Sequence, residues 1–62
     1  MIHETKKILD DVKERSEVGE TFMSYRLTRE AVIGILENPP ERFEMQVLFR
    51  REGLSTIHFN AY

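Results

Sequence analysis

Glu44, Arg50, His58 and Tyr62 are residue types that can cleave RNA without a metal. A carboxylate can serve as general base, a guanidinium can clamp phosphate, and an imidazole or phenol can return the proton. Such work needs the groups within hydrogen-bond reach of one reacting atom, and nothing in their spacing imposes that. Ser16, Ser24 and Ser55 have no histidine and acid placed beside them as a nucleophilic triad. The three glycines, Gly19, Gly34 and Gly53, are isolated and form no phosphate-cradling loop. His3 and His58 are the only histidines, and no cysteine is present. A zinc site needs convergent ligands at defined spacing, which this set lacks. His3 is expected in a frayed terminus, and His58 on a sheet face, hydrogen-bonded to Gln46. The expectation is a non-enzymatic protein without a cofactor, a metal or a small-molecule substrate.

A second kind of chemistry is recognition. Arg26, Arg50 and Arg51, with Phe22 and Tyr62, combine positive charge with aromatic rings, as do sheet faces that stack single-stranded RNA. Glu44 and Glu52 in the same hairpin offset that charge. The net charge is −2, from nine basic and eleven acidic residues, and no segment carries a clear basic excess. Nucleic-acid binding is therefore the alternative, not the leading expectation. The leading one is protein recognition, as a regulator or inhibitor acting through a sheet edge or the outer hairpin face, or as a homodimer. Phe22, Arg26, Leu48, Arg50, Arg51, His58 and Tyr62 are the expected contact residues, with Phe22 and Leu48 forming a modest apolar patch.

Composition sets the frame for both readings. Sixty-two residues make one domain over residues 1–62. A chain of this size buries only about 60% of the surface its unfolded form exposes, so self-association is a common aid. Hydrophobic content of 40% and charged content of 32% are those of a globular protein. The start at Met1 suggests a complete small gene product, and the lack of cysteine suits a reducing cytoplasm. No apolar run reaches the ~20 residues of a membrane-spanning helix, so no membrane partner is expected.

The elements that must position these side chains follow from periodicity. Residues 2–16 place Thr5, Ile8, Leu9, Val12 and Ser16 on one helical stripe, with Lys6–Asp10, Lys7–Asp11 and Asp11–Arg15 at i, i+4 and Gly19 as the stop. Thr21–Leu27 alternates as a strand, with Met23, Tyr25 and Leu27 inward. Thr28 is a favoured N-cap for a helix over residues 29–38, preferred to a buried strand at AVIGIL because of that cap and the Asn38-Pro39-Pro40 stop. Gly34 would let that helix sit close against a sheet.

Phe43, Met45, Val47 and Phe49 share one face of the next strand, and Ile57, Phe59 and Ala61 one face of the last. Residues opposite each other in an antiparallel pair point the same way, so only an odd loop keeps these faces together. A three-residue Arg51-Glu52-Gly53 loop satisfies this, with Gly53 left-handed. It pairs Val47 with Ile57, Met45 with Phe59 and Phe43 with Ala61 inside. Outside, it pairs Leu48 with Thr56, Gln46 with His58 and Glu44 with Asn60. Arg42 then faces Tyr62, within reach of a cation–π contact. The expected fold is a single α+β domain of order α-β-α-β-β. Its three-stranded mixed sheet ends in a C-terminal hairpin, has helices on one face, and runs its first strand parallel to its second.

Overall fold

The alternation read from the strands is realised in a computed structural model, which describes residues 2–62. The elements are α1 (His3–Glu17), β1 (Phe22–Leu27), α2 (Arg29–Glu37), β2 (Phe43–Leu48) and β3 (Ser55–Ala61), in the expected order. Both helices cover one sheet face. Met23 and Leu27 of β1, Phe43 of β2, and Ile57 and Phe59 of β3 meet Val12 of α1 and Ala31, Val32 and Ile35 of α2 in the buried core. Ile8, Leu9, Tyr25, Met45 and Val47 pack around its margin.

α2 starts on a side-chain cap, whereas α1 starts after Ile2 with none. The α1 stripe is as expected, with Thr5 and Val12 fully buried, and Gly19 (φ +89°) takes the left-handed conformation that ends the helix. His3 opens this helix rather than fraying from it. Lys6 pairs with Asp10 at 3.0 Å and Arg15 approaches Asp11 at 3.9 Å. The expected Lys7–Asp11 pair is not among the ion pairs of the described residues. In α2 the Ala31 N–H donates to Thr28 Oγ1 at 3.2 Å, and Asn38 Nδ2 donates to Gly34 O at 2.9 Å. Thr28 and Asn38 therefore satisfy backbone groups at the two ends of α2.

Gly34 corrects one expectation. It faces α1, not the sheet: a Cβ built there would lie 2.6 Å from Thr5 Oγ1 and 3.0 Å from Thr5 Cγ2. Thr5 Oγ1 itself donates to Ala31 O at 3.1 Å, so its one hydroxyl is satisfied by the neighbouring helix. A threonine on an apolar stripe thus becomes the contact between the helices, and only glycine leaves room for it.

The sheet order is β1-β3-β2, and both pairings are antiparallel. This corrects the mixed sheet. β1 and β2 do run in the same direction, but β3 lies between them, so no parallel contact forms. The β2–β3 register is the expected one, from Phe43 opposite Ala61 to Leu48 opposite Thr56. The turn is wider than three residues, because the strands end at Leu48 and Ser55. In that register Arg50 would bond Leu54, but its N–H donates to the buried Ser55 Oγ at 3.0 Å instead. Phe49 leaves the core face and lies partly exposed under the Arg29 guanidinium, 5.3 Å from its ring centroid. Gly53 (φ +80°) keeps its expected left-handed conformation. Arg42 and Tyr62 do face each other through Tyr62 N–H to Arg42 O at 3.1 Å. Their side chains make no cation–π contact among the described residues, where Arg15 over Tyr25 and Arg29 over Phe49 are the cases found.

The Thr5–Gly34 contact is open to test. Ala is the better helix former by about 1 kcal/mol, but forcing a methyl into this gap costs more. Gly34→Ala is expected to lower unfolding free energy by a net ~1–2 kcal/mol in urea denaturation. In a Thr5→Ala background, where Oγ1 and Cγ2 are gone and only the Cβ at 3.3 Å remains, the same change is expected to cost much less.

Candidate interaction surface

The seven expected contact residues divide into two groups. Phe22, Arg26, Leu48 and His58 all stand on the face of the sheet opposite the helices, as alternation requires. Cross-strand rows fix their places: Arg26–Thr56–Leu48 at one end, Ser24–His58–Gln46 in the middle, and Phe22–Asn60–Glu44 at the other. Arg50 and Arg51 belong to the loop beyond the first row, and Tyr62, 90% exposed, follows the last. Phe22 and Leu48 are exposed but occupy opposite corners, roughly 16 Å apart by strand rise and spacing. They do not form one patch, and the arginines do not share a corner with the aromatics.

His58 is another correction. Its Nδ1 is buried and makes no hydrogen bond to Gln46 or to any other of the described residues. Instead the ring stacks on Phe22, with centroids 5.8 Å apart and planes at 21°. Stacking covers one imidazole face and leaves an ordinary half-wet sheet surface. No cluster of three or more His, Cys, Asp or Glu suited to a metal ion occurs among the described residues.

The two sheet edges offer more than the open face does. Tyr62 N–H bonds Arg42 O, and Ala61 N–H bonds Thr21 O at 2.8 Å. In an antiparallel ladder bonded pairs alternate along each strand. Residues 42, 44, 46 and 48 therefore direct their backbone groups to β3, and Phe43, Met45 and Val47 direct theirs away from the sheet. On β1 the outward residues are Phe22, Ser24 and Arg26 by the same count.

The edges are guarded differently. Beside β1 lies a polar network: Tyr25 Oη donates to Asp11 Oδ2 at 2.5 Å, Arg15 donates to Tyr25 Oη at 3.3 Å, and Arg15 Nε approaches Glu20 at 3.4 Å. Charge of this kind, with Arg26 on the strand itself, discourages edge pairing. Beside β2 the rim is apolar along its middle, with Glu41 and Arg42 at one end of the groove and Glu44 on the strand itself. Arg29 at the start of α2 reaches Phe49 just past β2, and Leu36 near its end borders the same groove as Met45, Pro39 and Pro40. Arg29, Ile33 and Leu36 fall at i, i+4 and i+7, so Ile33 points to this side too. Ile33 is 44% exposed and Leu36 40% exposed, beside the half-buried Met45 and Val47.

Sequence reasoning allowed a sheet edge as the contact but missed Ile33 and Leu36. Their signal was present: AVIGIL is apolar on more helical faces than one core can cover. Comparison with protein-family models, with curated proteins and with solved structures gives no match.

The network beside β1 yields a pH test. Burial, and then the hydrogen bond to the Asp11 carboxylate, raise the Tyr25 phenol above its ordinary 10.0. A raised acid favours its neutral form on folding, so that stability is full below pH 10 and fades as pH climbs through the raised value. Alkaline unfolding monitored by circular dichroism is expected to show this loss in wild type. In Tyr25→Phe the part of it due to this residue should be absent, so the variant's stability should be flatter above pH 10.

Proposed function

We propose that this protein is a non-enzymatic recognition module that binds another protein chain through the β2 edge, in a reducing, cytoplasmic setting. The observation that carries the reading is the outward backbone of Phe43, Met45 and Val47 beside an apolar rim from Ile33 and Leu36. An added strand would gain main-chain hydrogen bonds from the edge and side-chain burial from the rim, the two sources of affinity in strand addition. Such a module would act as a regulator or inhibitor by occupying its partner's exposed segment. The nucleic-acid alternative has less to support it, since Arg26, Arg50 and Arg51 stand at the end of the sheet away from Phe22 and Tyr62.

Leu36→Lys places a charge on the rim at a position already partly exposed, so the fold should survive, as circular dichroism can verify. Val47→Pro removes an outward N–H that the ladder does not use, which edge strands tolerate. Wild-type protein immobilised in nuclease-treated lysate is expected to retain a protein chain that both variants lose. Retention that nuclease abolishes, or that falls steeply with added salt, would favour nucleic acid instead.

A further inference from the structure

We infer that the strand which pairs with the β2 edge is β2 of a second copy of this chain, antiparallel and centred on Met45. This rests on the edge-recognition reading above and names its partner. The β2 edge is self-complementary. Because Phe43, Met45 and Val47 are the outward residues, a two-fold axis through Met45 sets Met45 against Met45 and Phe43 against Val47 of the other copy. Every outward N–H and C=O of β2 then meets a partner, and no other antiparallel register pairs all three residues.

The side chains agree with that register. On the open face Glu44 falls opposite Gln46 of the second copy, where an amide can donate to a carboxylate. These are non-bonded pairs, the kind in which side chains approach more closely. Shifting the axis to Glu44 would set that carboxylate against its own copy, which is destabilising. On the other face, an axis perpendicular to the sheet keeps the helices of both copies on the same side. Leu36 borders the same groove as Met45, so the two Leu36 side chains approach each other near the axis, with Ile33 beside them. The β1 edge admits an equivalent register about Ser24, but Arg26 and the Asp11–Arg15–Glu20 charges stand beside it. A chain this short gains from the extra burial, and a cyclic dimer closes the open edge.

Sedimentation of purified protein from micromolar to millimolar concentration tests this through Gln46, an exposed residue whose replacement leaves the ladder intact. Wild type is expected to dimerise. Gln46→Glu places two symmetric like-charge pairs across the axis and should weaken the dimer about threefold or more, and Gln46→Lys should tighten it by a similar factor. Both variants should keep the wild-type circular dichroism. A wild type that stays monomeric throughout overturns the inference, as does a dimer that Gln46→Glu and Gln46→Lys leave unchanged or shift in the opposite sense. The broader reading fails separately. A monomer that still loses its captured chain on Leu36→Lys overturns self-pairing alone, and one whose capture ignores that variant overturns both.

Discussion

The central place of β3 is the constraint on which the rest of the structure depends. Its backbone bonds alternate, odd residues to β1 and even residues to β2, as the Ala61–Thr21 and Tyr62–Arg42 bonds show at its end. That alternation fixes both edges at once. The matching alternation of side chains puts Ile57 and Phe59 under the helices, where Phe59 meets Tyr25 and Phe43 edge-to-face at 5.9 and 6.2 Å. It leaves His58 and Asn60 on the open face. The alternation of bonds leaves the outer backbone of β2 unused, which is the origin of the proposed recognition surface.

The helices depend on this layer and on each other. Ala31, Val32 and Ile35 fill the core from α2, and Val12 does so from α1. Their mutual approach rests on Thr5, Ala31 and Gly34, where the Thr5 hydroxyl bonds Ala31 O and only a glycine leaves room for it. A core of this size leaves little surplus, because small domains bury a small share of their surface. Apolar residues beyond what the core can cover therefore remain at its margin, and on the β2 side they gather as Ile33, Leu36, Met45 and Val47. Large exposed apolar side chains set beside an open strand edge are a liability unless something covers them.

Much of this was legible in the sequence because it follows from period and parity. The face parity of Phe43, Met45, Val47, Ile57 and Phe59 determined the β2–β3 register, and Thr28 with Asn38-Pro39-Pro40 marked the bounds of α2. What escaped depends on contacts between distant residues. That β3 inserts between β1 and β2 is a tertiary choice that local pattern does not encode. Gly34 was legible as a close approach, but its neighbour Thr5 lies almost thirty residues away. The hairpin turn was misjudged because one side-chain oxygen, Ser55 Oγ, takes the N–H that a narrower turn would have used. At the candidate site, Leu48, Arg26 and His58 were assigned to the right face. The edge beside it needed the strand order before its significance could be seen.

Backbone amide exchange along β2, followed by NMR at low and high protein concentration, shows whether this edge is open and whether it pairs. Glu44, Gln46 and Leu48 bond to β3 and should be protected at every concentration. The Phe43, Met45 and Val47 amides should exchange quickly in dilute protein and become protected as concentration rises. If those three exchange rapidly at every concentration, the edge does not pair. If they are already as protected as their neighbours in the dilute monomer, the edge is not open, which contradicts strand addition at β2.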